Sequence, residues 1–78
     1  MRILKIQTTR TRDGFKAWLA DDDSVRATAT GSAFMAAENL AVRVFVGHNN
    51  RAQISEDVLS KIVVRPTDGG NYRATYDN

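Results

Sequence analysis

The sequence predicts an α+β fold, in which a three-stranded antiparallel meander packs on one helix (βββα) and is followed by a short helix and a C-terminal β-hairpin. Three observations support this prediction. Apolar residues alternate with polar ones over 15–19 and 25–29, which is the spacing of half-buried strands. They recur every three or four positions over 32–46, which is the spacing of an amphipathic helix. Asp-Gly and Gly-Gly turn sequences separate several of these segments.

A chain of 78 residues is long enough for one small domain. We predict a single α+β domain over 1–78, with its core at 2–46 and the short helix and hairpin at 54–76. The 11 Lys and Arg against 9 Asp and Glu give a net charge of +2, which does not by itself indicate a nucleic-acid partner. A small, alanine-rich core favours self-association, so a homodimer or a larger assembly is expected.

Composition also limits the compartment and the kind of stabilisation. The chain has no cysteine, which excludes disulfides and Cys/His zinc sites and fits a reducing compartment. The sequence contains neither an 18-residue apolar run nor the apolar segment of a signal peptide. A cytoplasmic location without membrane contact is therefore predicted.

The first two predicted strands are Ile3 to Thr9 and Phe15 to Ala20. A two-residue Asp13-Gly14 loop between them places Thr8 opposite Leu19. Side chains alternate between the two faces of a strand, so this pairing gathers the apolar side chains on one face. The members of that face are Leu4, Ile6, Phe15, Ala17 and Leu19.

Val25 to Thr30 is the third predicted strand, after a polar ADDDSV turn. An odd number of loop residues puts Val25, Ala27 and Ala29 on the apolar face, whereas an even number would bury Arg26 at a high desolvation cost. The odd-length turn gives the pairs Leu19–Val25, Ala17–Ala27 and Trp18–Arg26. Trp18, the only tryptophan, therefore lies on the opposite, outer face of the sheet.

Ser32 to Val46 is predicted as the long helix, with the hydroxyl of Ser32 or Thr30 capping its first turn. Gly47 suits the left-handed conformation that ends a helix. The residues spaced to face the sheet are Phe34, Ala37, Leu40, Ala41, Val44 and Phe45. Those predicted on the opposite side of the helix are Glu38, Asn39 and Arg43.

The C-terminal part predicts a short helix and a hairpin. In ISEDVLSK, Ser55 caps a short helix whose first turn is acidic. Ile62 to Arg65 predicts a strand, which Pro66 ends or marks as an edge. TDGGN is a turn and Tyr72 to Tyr76 is a closing strand. The sequence leaves open whether this hairpin joins the sheet or covers its outer face.

No residue pattern supports catalysis, a metal or a cofactor, so the protein is predicted not to be an enzyme. Three consecutive aspartates, Asp21 to Asp23, cannot converge on one cation, which favours a solvated turn. His48 is the only histidine, and nothing in its predicted loop orients it for proton transfer. The DGGN sequence is followed by no helix that could bind phosphate.

The outer face of the sheet is the candidate binding surface, because an aromatic ring lies there among cations. Its predicted binding residues are Lys5, Gln7, Lys16, Trp18, Arg26 and Thr28. Such a ring can stack on a base or pack against another protein. It can also be covered by a second copy of the chain, or by the hairpin, whose Tyr72 and Tyr76 share a face.

The run DGFKAWLADDDSVRATATGSAFMAAENLAVRVF resembles the HicB-like antitoxin domain. In that family a Gly-aromatic second strand, an acidic loop, a third strand and a tight turn lead into an alanine-rich helix. The corresponding residues here are Gly14-Phe15-Lys16-Ala17-Trp18, Gly31-Ser32-Ala33 and Ala36-Ala37-Glu38-Asn39-Leu40. The resemblance covers residues 2–46 and does not extend to the DNA-binding domain of full-length antitoxins. It implies a partial ribonuclease H-like fold without catalytic carboxylates and a self-associating, protein-binding module.

We therefore expect a non-enzymatic protein-binding module, either a HicB-like antitoxin or a small inhibitor that occludes a partner such as a toxin. The size of the chain also suits a small phage-type inhibitor of a host defence protein. The alternative from a different class is binding of RNA or single-stranded nucleic acid through Lys5, Lys16, Trp18 and Arg26. Nucleic-acid binding weakens steeply with salt, which separates it from a salt-insensitive protein complex.

Overall fold

The fold is a five-stranded antiparallel sheet with one long helix on one of its faces, seen in a computed structural model that describes residues 1–47 and 54–77. The strand order is β3-β2-β1-β5-β4. This architecture confirms the predicted α+β class. The elements are β1 (Arg2–Thr11), β2 (Gly14–Leu19), β3 (Asp22–Ala29), α1 (Ala33–Val46), α2 (Glu56–Leu59), β4 (Ile62–Pro66) and β5 (Asn71–Tyr76).

The C-terminal hairpin extends the sheet and does not cover it. β5 pairs antiparallel with β1, so that Lys5 lies opposite Arg73, and β4 pairs with β5 at the sheet edge. Tyr72 and Tyr76 do share a face, but they pack against the core on the helix side. The alternative in which the hairpin covers Trp18 is therefore wrong.

The turn between β1 and β2 lies one residue earlier than predicted. Residues 12–13 form it, instead of 13–14, so Thr8 lies opposite Ala17 and the predicted pairing of Thr8 with Leu19 is wrong. The register changes by two residues, which keeps every side chain on its predicted face. The predicted apolar face therefore packs against the core.

Gly14 is required by a contact with β3 and not by the turn itself. A Cβ atom at this position would lie 2.5 Å from the carbonyl oxygen of Ala29 and 2.9 Å from the Cα of Thr30. Its φ of 155° is also one that residues with a side chain rarely adopt. The Asp-Gly sequence does lie at a hairpin, but the glycine is needed for its contact with β3 and not for the turn. For this reason the turn lies one residue earlier than predicted.

β2 and β3 pair as predicted over most of their length. The confirmed pairs are Ala17–Ala27 and Trp18–Arg26. The predicted pairing of Leu19 with Val25 is wrong, because Leu19 lies opposite Asp22 and the register shifts at this point. The polar turn is thus shorter than predicted, and residues 23–25 form an irregular stretch of β3 between the Leu19–Asp22 and Trp18–Arg26 pairs, which we call the β3 bulge. Ser24 braces the bulge, because its amide and hydroxyl both donate to Oδ1 of Asp22, at 3.1 and 2.6 Å.

The contact between Ser24 and Asp22 in the β3 bulge is expected to depend on pH. Hydrogen bonds from Ser24, first from its hydroxyl and then from its amide, lower the pKa of Asp22. A carboxylate whose pKa is lower in the folded chain adds stability above its unfolded pKa, and this stability is lost as pH falls through the folded pKa. In Ser24→Ala we expect the pKa of Asp22 to rise toward its ordinary value in an NMR titration of the carboxyl carbons. An unchanged pKa would show that the Ser24 hydroxyl does not hold the carboxylate.

Helix α1 begins and ends as predicted. The Ser32 hydroxyl accepts a hydrogen bond from the amide of Met35 at 3.1 Å, which satisfies a first-turn N–H. Gly47 adopts a φ of 81° and its N–H donates to the carbonyl of Arg43, as expected for a left-handed C-cap. Local sequence signals therefore determine both helix ends.

The buried face of α1 differs from the prediction at three positions. Phe34 is 39% exposed, whereas Ala36 and Val42 are buried. Small alanines let the helix lie close to the sheet, and the Phe34 ring is left at the margin, in edge contact with Tyr72 at 6.2 Å between ring centroids. Asn39 and Arg43 were predicted to lie away from the sheet, and this is wrong, because both side chains donate hydrogen bonds to carbonyls of β3.

The core contains few large side chains. Ile6 and Leu40 are the largest that are fully buried. Alanines fill most of the remaining buried positions, which allows close approach of helix and sheet. The completely buried alanines are Ala17, Ala36, Ala37, Ala41 and Ala74.

The short helix α2 is capped by Ser55, whose hydroxyl accepts from the amide of Val58 at 3.4 Å. The predicted loop around His48 lies outside the described residues. Within 1–47 and 54–77, no helix has the length and apolar character needed to cross a membrane.

Candidate functional site

The outer face of the sheet, on the side away from α1, carries five cations in rows across the strands. One row runs across β4, β5 and β1 and contains Arg65, Arg73 and Lys5. The next rows contain Arg26, opposite Trp18, and Lys16, opposite Thr28. We call this surface the cationic face, and its charged residues are Lys5, Lys16, Arg26, Arg65 and Arg73.

No paired position of the cationic face holds an acidic residue. The acidic residues lie in turns, in helices, in the β3 bulge or after β5, namely Asp13, Asp21, Asp22, Asp23, Glu38, Glu56, Asp57, Asp68 and Asp77. The side chains of Lys5, Arg65 and Arg73 make no hydrogen bond or ion pair with any described residue. The face is therefore strongly positive although the net charge of the chain is only +2.

Trp18 lies near the middle of the cationic face and is half-buried. The β1–β2 register places Gln7 directly opposite, and the indole Nε1–H donates to Gln7 Oε1 at 2.9 Å. The Lys16 ammonium lies 5.5 Å from the centroid of the ring, within cation–π range. These contacts orient the ring and leave the amide hydrogens of Gln7 as donors.

A depression of about 380 Å³ lies beside Trp18 and shares Gln7 with it. Its volume is within the range of small-ligand pockets. Cations and amides from two neighbouring strands line it, a combination that can bind phosphate oxygens and the polar edge of a base. The polar lining residues are Lys5, Gln7, Thr67, Asn71 and Arg73.

The structure places all six predicted binding residues on the outer face. Gln7, Trp18 and Arg26 share one row, and Lys16 and Thr28 are paired in the next. Sequence reasoning missed Arg65, Arg73 and Asn71. Side chains alternate between the two faces of each C-terminal strand, so these three lie on the face away from the apolar ones. The missing information was the pairing of β5 with β1, which brings them beside Lys5 and Gln7.

Among residues 1–47 and 54–77, no group of three His, Cys, Asp or Glu side chains is arranged to hold a metal ion. The aspartates of the β2–β3 turn are no exception, since Asp22 is engaged by Ser24.

Comparison with known proteins finds no matching family model, no matching relative and no matching solved structure. The cationic face is therefore the feature of the described residues that indicates a function.

Proposed function

We propose that this protein is a non-enzymatic module that binds single-stranded nucleic acid on its cationic face. One observation carries the proposal. Five cations and a tryptophan occupy paired positions of one sheet face from which acidic residues are missing, although the chain has nine acidic residues.

The distribution of the cations supports an extended anionic partner. They lie on all five strands, and four inter-strand steps of about 4.8 Å make the face roughly 19 Å wide. Three of them, Lys5, Arg65 and Arg73, have no partner among the described residues. A single small anion would need a compact cluster, whereas a chain of phosphates uses charges spread along its path.

The tryptophan supports an unpaired strand. Bases within a duplex are stacked on one another and cannot lie on a protein side chain, whereas unpaired bases stack on exposed aromatic rings. Trp18 offers a half-buried ring on β2, the Gln7 amide lies beside it, and Asn71 lies on the other side of Gln7. The arrangement resembles sheet surfaces on which aromatic residues bind bases and cations bind phosphates.

Replacement of Trp18 tests the proposal directly. We expect single-stranded RNA of mixed sequence, about ten nucleotides long, to quench Trp18 fluorescence. It should also shift the NMR signals of residues on the cationic face. Trp18→Ala should weaken binding by roughly 5- to 150-fold, the effect of losing about 1–3 kcal/mol of base stacking. Binding by the alanine variant is measured by anisotropy of labelled RNA.

Trp18→Phe is the matched control, because it keeps a ring but loses the hydrogen bond to Gln7. It should retain most of the affinity lost in Trp18→Ala, and a duplex of the same sequence should bind more weakly than the single strand. Equal affinities for wild type and the folded alanine variant would argue against base stacking at this position.

Binding of another protein is the second proposal, and it includes the HicB-like antitoxin or small inhibitor suggested by the sequence resemblance. Two exposed apolar residues on the same face support it. Ile3 is 53% and Val63 is 40% exposed, and they share one row with Thr75 between them. An apolar pair beside cations can contribute to a protein interface, and such a complex would be far less sensitive to salt. Only the size of the chain supports a phage-type inhibitor.

A further inference from the structure

The free edge of β3 has an unusual hydrogen-bonding state. An edge strand normally presents alternating N–H and C=O groups, which can pair with another strand. Here Asn39 Nδ2 donates to the carbonyl of Thr28 at 2.9 Å, and Arg43 Nη1 donates to the carbonyl of Arg26 at 2.8 Å. Four residues of helix rise about 6.0 Å and two residues of strand about 6.7 Å, so the two spacings match.

The remaining groups at this edge are donors. In an antiparallel strand the N–H and C=O of one residue point to the same side, so the amides of Arg26 and Thr28 also face outward. The carbonyls already accept from α1, whereas the second amide hydrogen of Asn39 and the other guanidinium hydrogens of Arg43 remain. An edge whose carbonyls are already engaged pairs poorly with a β-strand, whereas its free donors suit a ligand that has only acceptors.

These donors surround a cavity of about 290 Å³ lined by Arg26, Ala27, Thr28, Asn39 and Arg43. Two of the five lining residues are arginines, Arg26 and Arg43. The acidic residue of α1, Glu38, lies on the other side of the helix, beside Leu59 and Ile62. The cavity therefore combines positive charge with outward-facing N–H groups, which is the chemistry of phosphate recognition.

We propose that this cavity at the β3 edge, the edge site, binds a phosphate group. Arg26 belongs both to the edge site and to the cationic face, where it lies opposite Trp18. A nucleic-acid strand bound on the cationic face therefore crosses the edge of the sheet at β3. There it places one backbone phosphate between Arg43 and the β3 amides. This last step rests on the proposed function, whereas phosphate binding at the edge site does not.

Inorganic phosphate titrated into the full chain at low salt tests the edge site alone. We expect NMR shifts of the Arg26 and Thr28 amides and of the Arg43 side chain. Arg43→Gln should abolish the shifts of the two amides, because it removes the guanidinium charge and its donors from the cavity. Arg12→Gln, in the β1–β2 turn, removes the same charge elsewhere and should leave them intact. Undisturbed edge amides, or equal shifts in both variants, would show that Asn39 and Arg43 only protect the edge.

Single-stranded RNA distinguishes the source of the phosphate. If a backbone phosphate occupies the edge site, Arg43→Gln lowers the slope of log affinity against log salt by about 0.7, whereas Trp18→Ala leaves the slope unchanged. If phosphate shifts the edge amides but Arg43→Gln leaves the salt slope of RNA binding unchanged, the site binds free phosphate compounds. If phosphate shifts the edge amides and RNA does not bind at all, only the proposed function is overturned. RNA binding through Trp18 with no phosphate shift and no change in slope overturns the edge site alone.

Discussion

Replacing Leu40 by alanine is expected to lower the free energy of unfolding by about 2–5 kcal/mol. Leu40 is completely buried and, with Ile6, is one of the two largest side chains in that state. Alanine favours the helix slightly more than leucine does, so the loss comes from packing and from the cavity that remains. A domain of this size is stable by only about 4–12 kcal/mol, and the variant loses a large share of that.

Urea denaturation followed by circular dichroism measures this effect. Val63→Ala is the matched control, because Val63 is an aliphatic residue that is 40% exposed on the outer face. We expect that control to stay within about 0.5 kcal/mol of wild type. If Leu40→Ala changed stability as little as Val63→Ala, the described helix–sheet core would be incorrect.

Replacing Lys5, Arg65 and Arg73 together by glutamine is expected to weaken RNA binding on the order of 100-fold at low salt. Exposed ion pairs contribute up to about 1 kcal/mol each, and 1.4 kcal/mol corresponds to a factor of ten. The slope of log affinity against log salt should fall by about 2, since each phosphate contact on a single strand contributes about 0.7. Folding should be unaffected, because these side chains make no hydrogen bond or ion pair with described residues.

A second triple variant separates the position of the charges from their number. Arg10, Arg12 and Lys61 are exposed and lie outside the cationic face, and their replacement by glutamine changes the net charge by the same amount. This control should keep most of the affinity in the anisotropy assay. Equal losses in the two triple variants would mean that binding depends on overall charge and not on the outer face.

Features that depend on neighbouring residues were predictable from the sequence. Ser32 and Gly47 determine the two ends of α1 through hydrogen bonds within a few residues. The alternation of apolar and polar side chains assigned the faces of β1 and β2 correctly, because faces depend on parity and tolerate a register change of two. Trp18 could for this reason be placed on the outer face, opposite Arg26.

Features that depend on distant contacts were not predictable in this way. Gly14 was interpreted as a turn residue, whereas its contact with Ala29 in β3 requires the glycine. Arg65 and Arg73 join Lys5 only because β5 pairs with β1 across almost the whole length of the chain. The sequence pattern thus predicted one half of the cationic face, and the tertiary pairing supplied the other half. The expected homodimer stays a prediction.

The binding of wild-type protein to single-stranded RNA as a function of salt tests the central claim most directly. Trp18 is the only tryptophan, so its fluorescence measures binding at the cationic face without a label. If three to five phosphates contact this face, log affinity should fall linearly with log salt, with a slope between about −2 and −3.5. The absence of quenching at low salt, or an affinity that does not change with salt, would contradict nucleic-acid binding by the outer face.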